Sequence, residues 1–270
     1  MNKDNNINII CLGDVVGRSG RRALEKLIPS LKEKYNASLV IVNGENAAGG
    51  VGLDTKTALE IKKAGVDVIT LGDHTWQRKE FFDYLDKHPE YIIRPANYPE
   101  ECLGRGWTIV ESQGIKIGIF NLIGRVFIQG SINCPFKCAD NILQNELSEC
   151  DCTICDIHAE ATSEKQALAR YLDGRATLIF GTHTHIQTAD ECILPKGSAY
   201  ISDLGMCGSM NGILGMDSGV SLARFITGIQ YAYKCAKGNV KLNGIVCSID
   251  KDSKQATAIQ RISIECPDEE

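Results

Sequence analysis

Three times in the first third of the chain, an apolar run is followed by a polar loop and then by a segment in which apolar residues have helical spacing. The apolar runs predict strands at 8–12, 39–42 and 66–71. Apolar residues spaced by three and four predict helices at 22–35, 55–64 and 79–85. Such an alternation of strands and helices is typical of a parallel sheet in an α/β fold.

The middle of the chain changes character. Segments 107–111 and 116–122 flank a Gln113-Gly114 turn and predict a β-hairpin, so antiparallel strands are expected to join the sheet. Later segments predict a helix at 139–149, a strand at 153–157, a helix capped by Ser163 that runs to Leu172, and strands at 176–180, 199–202, 240–249 and 257–264. No linker interrupts this pattern, which predicts one domain over residues 1–270, built as a layered α/β sandwich.

The composition is that of an ordinary globular protein, with 43% hydrophobic and 23% charged residues. No window approaches about 18 consecutive apolar residues, and the polar start MNKDNN does not resemble a secretory signal. The sequence therefore predicts a cytoplasmic protein with no membrane partner. The net charge of −5, without long runs of one sign, indicates no strong nucleic-acid-binding surface.

Without an export signal, the twelve cysteines are interpreted mostly as buried thiols. Cys152 and Cys155 have the C-x-x-C spacing of redox and zinc sites. They lie on a predicted strand, however, where residues three apart point to opposite faces. A shared thiol site is therefore not expected.

Polar residues able to do chemistry gather where predicted strands end. Four of the five histidines lie there, and only His88, beside Pro89 in a polar turn, is interpreted as incidental. Open α/β sheets bind ligands at the carboxyl ends of their strands, so these side chains are expected to lie close together. The set is Asp14, Glu45, Asn46, Asp73, His74, His158, His183 and His185.

Seven of these residues, all except His74, are more ligands than one metal ion needs. Imidazole and carboxylate together suit Zn, Mn, Fe or Ni. Because a carboxylate can bridge, the set predicts a two-metal centre. Two ions about 3.5 to 4 Å apart can hold a hydroxide and clamp both oxygens of an in-line displacement, as in phosphoesterases. A structural metal site would normally be saturated by four ligands, so a hydrolase is favoured over a structural site.

The segments around these residues resemble those of the bacterial YmdB-like family. The resemblance extends over residues 8–265 and keeps the motifs in the same order. It rests chiefly on Asp14-Val-Val-Gly17, Asn43-Gly-Glu45-Asn46, Gly72-Asp73-His74-Thr-Trp76, Arg94-Pro-Ala-Asn97, Asp156-Ile-His158-Ala-Glu160 and Gly181-Thr-His183-Thr-His185.

This resemblance implies a calcineurin-like metallophosphoesterase sandwich in which mixed β-sheets are flanked by helices in four layers, α/β/β/α. It implies a 2′,3′-cyclic-nucleotide 2′-phosphodiesterase with two metal ions per chain, iron as Fe²⁺ or Fe³⁺, with Mn and Zn as alternatives. The partner would be a small cyclic nucleotide or another phosphodiester, and the product a nucleoside 3′-phosphate. We also expect a homo-oligomer.

The resemblance also implies a role for each residue of the set. The first ion would be bound by Asp14, Asn46 and His185. The second would be bound by Asp73, His158 and His183, with Glu45 bridging both. A metal-bridging hydroxide would attack phosphorus, and His74 would donate a proton to the departing ribose 2′-oxygen.

Two departures from related patterns stand out. Many calcineurin-like enzymes have Asp-x-His where this chain, like its family, has Asp14 followed by Val15-Val16, and Asn46 would fill the gap. The second departure belongs to this chain, which has Asp73 where the family has Asn. The extra carboxylate changes the net charge of the loaded centre from about +1 to about 0. That predicts either a weaker attraction for a phosphodiester anion or a preference for a mixed Fe³⁺/Fe²⁺ pair. It also predicts a raised pKa for His74.

Two other functions stay open. One is a regulatory metal-containing protein that binds RNA or a protein partner with weak or no turnover, as Asp73 would hint; the retained ligands and His74 argue against it. The other is a phosphodiesterase or nuclease acting on RNA ends. The net charge of −5 and the lack of a basic stripe argue against long RNA.

Weaker candidates surround the central set. Arg94 and Arg125 are candidates for phosphate contacts. Candidate platforms for a nucleobase are Trp76, Tyr98 and Phe127. Asp156 and Asp203 are candidate partners of the histidines, and the loop 205–215 is a candidate lid or oligomer contact.

Overall fold

The structure is a computed structural model and describes residues 5–267. Its strands are β1 (Asn6–Val15), β2 (Ala37–Asn43), β3 (Val68–Thr70), β4 (Ile92–Ile93), β5 (Trp107–Ser112), β6 (Ile115–Ile123), β7 (Cys152–His158), β8 (Leu178–Thr182), β9 (Cys192–Ile193), β10 (Ala199–Ile201), β11 (Met206–Ser209), β12 (Val240–Asp250) and β13 (Ala256–Glu265). Its helices are α1 (Gly17–Tyr35), α2 (Thr55–Lys63), α3 (Phe82–Lys87), α4 (Pro135–Asn141), α5 (Thr162–Leu172) and α6 (Ser218–Thr227).

The strands form two mixed sheets. The first has the order β13-β12-β11-β1-β2-β3-β4, and β1 also pairs with β12. Its strands β1 to β4 are parallel, whereas β12 and β13 run antiparallel to their neighbours. The second has the order β5-β6-β7-β8-β10-β9, with β6, β7, β8 and β10 parallel. The hairpin expected at 107–122 is the antiparallel pair β5 and β6.

Three apolar clusters bind the layers together. Apolar side chains from the facing sides of both sheets, such as Ile9, Ile41 and Ile154, form a fully buried cluster between them. Helix α1 packs through Leu24 on the outer face of the first sheet. Helix α5 packs through Leu168 on the outer face of the second. The predicted four-layer α/β/β/α sandwich is confirmed.

Several element boundaries differ from those predicted. Helix α1 begins at Gly17 rather than at residue 22, because the helix continues through polar residues before the apolar spacing starts; Gly17 itself has a φ of 57°, which glycine adopts readily. The helix predicted at 139–149 begins earlier, at Pro135, and changes into a π-helical turn at Ile142–Glu146. Ser163 does not cap α5: the residue before that helix is Ala161, which provides no side-chain cap.

The cysteines of the C-x-x-C segment behave as predicted. Cys152 packs between the two sheets, whereas Cys155 packs against the helices on the opposite face of β7. Both thiols are buried and free. Within residues 5–267, no helix is long and apolar enough to cross a lipid bilayer.

Candidate metal centre

The carboxyl ends of strands from both sheets meet at one edge of the sandwich. Asp14 lies in β1, at the register position that pairs with Asn43 at the end of β2. His158 ends β7, opposite Thr182 at the end of β8. The loops that leave β2, β3 and β8 carry the remaining residues of the predicted set: Glu45, Asn46, Asp73, His74, His183 and His185.

Four side chains converge most tightly. His158 Nε2 lies 3.0 Å from Asp73 Oδ1, 3.0 Å from His183 Nδ1 and 3.1 Å from Glu45 Oε1. One ligand atom from each of the four residues lies within 4.8 Å of the other three. Ligand atoms about 2.1 Å from a common cation are about 3 Å apart when their bonds are at right angles. The donor types and their spacing fit a divalent cation.

A second, looser group lies beside the first. Asn46 Oδ1 is 3.3 Å from His185 Nε2, and Asp14 Oδ1 is 3.8 Å from the same nitrogen. Asp14 is fully buried, and its Oδ2 accepts a hydrogen bond from the backbone N–H of His183. Its Oδ1 has no hydrogen-bond partner among the described residues. A buried carboxylate oxygen without a hydrogen-bond partner destabilises the folded protein unless a proton or a cation binds it.

Glu45 connects the tight cluster to the loop after β3. Its Oε1 faces His158, while its Oε2 accepts a hydrogen bond from the backbone N–H of His74 at 3.0 Å. The side chain is almost fully buried, at 1% exposure. Both carboxylate oxygens are therefore held in place within the site.

His74 lies at the rim of the cluster. Its Nδ1 is 3.2 Å from the Asn46 amide nitrogen and 3.4 Å from Glu45 Oε1. Its Nε2 is 3.7 Å from Asp73 Oδ2, beyond hydrogen-bond distance. The side chain is 30% exposed and lines an open cavity. It can therefore meet a ligand from solvent, unlike the buried His158.

Burial and close opposite charges shift the pKa values of these groups. Burial would raise the pKa of Glu45, but the charge of His158 and hydrogen bonds from His158 and His74 lower it to about 2. Hydrogen bonds from His158 and His183 likewise outweigh burial and lower the pKa of Asp73. Burial opposes protonation of His158, yet the adjacent carboxylates raise its pKa. These carboxylates and imidazoles would have to be deprotonated to bind a cation. The cation would then balance the negative charge of the carboxylates.

The pKa of His74 is raised, as the sequence predicted. Burial acts against the shift, and the hydrogen bond and charge of Glu45 contribute more to it than the charge of Asp73. The direction is therefore confirmed, with Glu45 as the main cause. A raised pKa shifts the equilibrium of the imidazole toward its protonated form.

Asp156 supports His158 through a hydroxyl. His158 Nδ1 is 3.0 Å from Thr182 Oγ1, which donates to Asp156 Oδ1 at 2.8 Å. Thr70 donates to the other oxygen of Asp156. Asp156 therefore reaches the His158 imidazole through the Thr182 hydroxyl and not by the direct hydrogen bond that the sequence suggested. This contact orients the imidazole so that Nε2 faces Glu45 and Asp73.

Asp203 supports the loop that carries His183 and His185 by binding Thr184. It accepts hydrogen bonds from the backbone N–H and the hydroxyl of Thr184. Lys165, buried on α5, donates to the same carboxylate at 2.6 Å. Asp203 thus acts on the backbone between the two histidines and contacts neither imidazole.

Glu160 is a site residue that sequence reasoning did not assign. Its Oε2 lies 3.1 Å from His183 Nε2, on the side of the imidazole away from Asp73 and His158. Metal-binding histidines commonly donate their second N–H to a carboxylate. The sequence feature that could have identified Glu160 as a site residue is its position, two residues after His158 in a segment that carries the family resemblance.

The expected phosphate contact of Arg94 is wrong. Its guanidinium is buried and donates to the carbonyl oxygens of Leu103, Pro95 and Cys102, so it closes a loop. Arg125 is exposed and lines neither of the cavities described below.

Two of the three aromatic candidates are also wrong. Trp76 and Tyr98 pack against each other with ring centroids 5.4 Å apart. Phe127 is the most exposed of the three, at 85%, whereas Trp76 is partly buried and Tyr98 is buried.

Two cavities open onto the cluster and share Glu160 and His183. The helix-side cavity, of about 350 Å³, is lined by His74 and His185 and by Leu214, Phe225 and Tyr233. The loop-side cavity, of about 570 Å³, is lined by Asp73, Gln77, Phe127 and Gln129. Among the described residues lining them, neither has a Lys or an Arg. Both are lined by carboxylates as well as histidines, so an anion entering either cavity would need a cation to offset the carboxylate charge.

Known proteins share these features. Residues 10–262 match the family described as YmdB-like protein. A Bacillus subtilis (strain 168) protein named 2′,3′-cyclic-nucleotide 2′-phosphodiesterase is 45% identical over 258 residues, covering 96% of this chain and 97% of that protein.

Solved structures show the same fold. The crystal structure of a novel phosphatase from Mycoplasma pneumoniae is 39% identical, with a TM-score of 0.90 over 97% of this chain and 94% of that one. A 5′-nucleotidase from Candida albicans SC5314 is 16% identical, with a TM-score of 0.58 over 97% of this chain and 51% of that one. The architecture is that of the calcineurin-like metallophosphoesterases.

Proposed function

The chain belongs to the YmdB-like family, and we propose that it is a dinuclear-metal phosphodiesterase that hydrolyses 2′,3′-cyclic nucleotides to nucleoside 3′-phosphates. One observation carries this proposal: Glu45, Asp73, His158 and His183 converge at the strand ends beside two open cavities. The activity in the name of the Bacillus subtilis relative supports the substrate class.

We assign the cluster to two ions. The tight contacts among Asp73, His158 and His183 support their role at the second ion, with Glu45 shared between both. The first ion would be held by Asp14, Asn46 and His185, and the unpartnered Asp14 Oδ1 supports a cation there. Carboxylate and imidazole ligands without thiolates suit iron, which we propose, and also Mn or Zn. When bound, the two cations supply positive charge for the phosphate oxygens and activate water at neutral pH.

His74 performs the proton transfer in this proposal. Its Nδ1 is occupied by contacts with Asn46 and Glu45, so Nε2, which lies 3.7 Å from Asp73 Oδ2, is the nitrogen left to donate a proton. A water molecule, which loses one proton to solvent, forms the new bond to phosphorus as the bond to the ribose 2′-oxygen breaks. His74 Nε2 then donates its proton to that oxygen, and the product carries a 3′-phosphate.

Asp73 takes part as a ligand in this proposal, although the family has Asn there. Its Oδ1 contacts both His158 and His183, as a residue in the centre must. The negative charge of this carboxylate would lower the net charge of the loaded centre by one. We therefore propose that the chain has a lower affinity for the diester anion than its Asp73→Asn variant would have.

The proposal is tested by removing His158. His158→Ala is expected to lose bound metal and hydrolysis of 2′,3′-cyclic AMP together, whereas His88→Ala, away from the site, is expected to keep both. Metal would be measured by mass spectrometry after reconstitution with Fe²⁺ under anaerobic conditions. Because His158 is buried, circular dichroism must show folded protein, and stripping metal from the wild type with a chelator provides a second route to the same loss. Turnover that survives metal removal would contradict the mechanism.

Self-association and a cytoplasmic location stay predictions of the sequence. No observation in residues 5–267 favours the regulatory alternative or the nuclease over the cyclic phosphodiesterase.

A further inference from the structure

Helix α6 leaves unusual apolar surface open to solvent. Of its ten residues only Ser221 is buried, while Phe225 is 81% exposed and Ile226 is 80% exposed. Contiguous apolar surface of this kind marks a binding site more often than chance exposure. Part of the helix faces the cluster, because Ser221 and Phe225 line the helix-side cavity together with His74 and His185.

Ser221 has a buried hydroxyl without a partner. The residue is 3% exposed, and its Oγ has no hydrogen-bond partner among the described residues. Buried hydroxyls are nearly always hydrogen-bonded, so an unsatisfied one beside a cavity points to a ligand. Ser221 and Phe225 are four residues apart on one helix and therefore lie on the same face.

Phe225 is the ring in this cavity that is left free to stack. Tyr233 also lines the cavity, but the Arg224 guanidinium lies 4.0 Å from its ring centroid and covers one face. Phe225 makes no ring contact within residues 5–267. The alternative, Phe127, lies in the loop-side cavity with one further apolar residue, Ile128, and otherwise among polar and charged side chains.

The helix-side cavity thus has two chemically different ends. Histidines of the cluster form the polar end, and Leu214, Met216 and Phe225 form the apolar end. A nucleotide has the same two halves, an anionic phosphate and a flat aromatic base. The volume of the helix-side cavity, about 350 Å³, is within the usual range for small-molecule sites.

We infer that Ser221 and Phe225 form the nucleobase subsite of the enzyme. The base stacks on the Phe225 ring, and the Ser221 hydroxyl forms a hydrogen bond with a polar atom of the base. The inference rests on the proposed function for the position of the phosphate. It makes the base a source of binding energy and leaves the chemical step to the cluster.

Steady-state kinetics with two substrates test this inference. The substrates are 2′,3′-cyclic AMP and 1-O-methylribose 2′,3′-cyclic phosphate, which has no base. Stacking on one aromatic residue predicts that Phe225→Ala raises KM for cyclic AMP by about 5-fold to about 150-fold. Loss of one hydrogen bond predicts a rise of about 2-fold to about 12-fold for Ser221→Ala. In both variants kcat for cyclic AMP and all constants for the baseless substrate stay the same. Phe225→Trp restores binding.

The next residue along the helix provides a control for each variant. Leu222→Ala and Ile226→Ala truncate exposed apolar side chains that do not line the cavity, and both are expected to leave KM unchanged. Equal effects of Phe225→Ala and Ile226→Ala would overturn the inference and point to a second copy of the chain covering the helix. An effect of Phe127→Ala alone would also overturn it, by moving the base to the loop-side cavity.

A binding measurement separates this inference from the proposed function. Isothermal titration calorimetry of 3′-AMP reads the subsite without turnover, and Phe225→Ala is expected to weaken binding by the same factor as KM. If the wild type hydrolyses neither substrate, the proposed function fails, while the calorimetry still decides on the subsite. Unchanged 3′-AMP affinity in Phe225→Ala would overturn the subsite.

Discussion

Glu160 offers a way to test how the second ion is held without changing any proposed ligand. Its Oε2 lies 3.1 Å from His183 Nε2, while His183 Nδ1 faces Asp73 and His158. The carboxylate therefore favours the tautomer with its proton on Nε2, which presents the Nδ1 lone pair to a cation. Loss of such a partner costs about 10-fold to 100-fold in metal affinity. Because Glu160 is 51% exposed and solvent screens the pair, we expect about 10-fold for Glu160→Ala.

Titration of chelator-stripped protein with Mn²⁺, followed by calorimetry, measures this effect. Glu160→Gln retains an acceptor oxygen and is expected to lose less affinity than Glu160→Ala. Glu90→Ala is a matched control, because Glu90 Oε1 also lies 3.1 Å from an imidazole nitrogen, that of His88, and the side chain is 60% exposed. Wild-type Mn²⁺ affinity in Glu160→Ala, or an equal loss in Glu90→Ala, would refute the role given to Glu160.

Three other substitutions test separate parts of the account. His74→Ala is expected to keep both ions and to slow hydrolysis of 2′,3′-cyclic AMP by about 10²-fold to 10⁴-fold. Hydrolysis of bis(4-nitrophenyl) phosphate should slow far less, because that leaving group needs no acid. Equal slowing with both substrates would count against His74 as the proton donor. Asp73→Asn is expected to raise kcat/KM, since the net charge of the loaded centre rises by one; unchanged kcat/KM and metal content would show that this charge does not matter. Lys165→Met removes the ammonium group that pairs with the buried Asp203 carboxylate, and is expected to lower the free energy of unfolding by about 3 to 5 kcal/mol in urea titration. A loss below about 1 kcal/mol would contradict the importance of this ion pair.

The residues at the strand ends were predictable from the sequence because strand geometry alone places them. The carboxyl ends of neighbouring parallel strands lie at one edge of a sheet, so Asp14 near the end of β1 and the polar residues after β2 and β3 meet there. The same holds for His158 at the end of β7 and His183 after β8 in the second sheet. The fold class followed from the same alternation of strands and helices.

The contacts made by loops were not predictable in the same way. His183 and His185 have positive φ values of 99° and 65°, an uncommon conformation for these residues, and this backbone decides what each imidazole faces. Arg94 follows a strand as the site residues do, yet its guanidinium turns to carbonyl groups of the loop that follows it. The local sequence pattern does not distinguish a residue that faces the site from one that binds the backbone of its own loop.

Helix α6 and the shortest strands were missed for a related reason. Leu222, Phe225 and Ile226 form an apolar stripe on this helix, but the stripe faces solvent and only Ser221 is buried, so the helix does not pack on the core. Strands β4 and β9 have two residues each, too few for a period-two pattern. Strand β11 lies in a segment that its glycines had suggested was a mobile loop.

The central claim is tested most directly by incubating the purified protein with 2′,3′-cyclic AMP and counting metal ions on the same sample. Liquid chromatography against authentic 2′-AMP and 3′-AMP would identify the product. We predict 3′-AMP from a protein that holds about two metal ions per chain. A protein loaded with two ions that leaves the cyclic nucleotide intact, or that releases 2′-AMP, would contradict the claim.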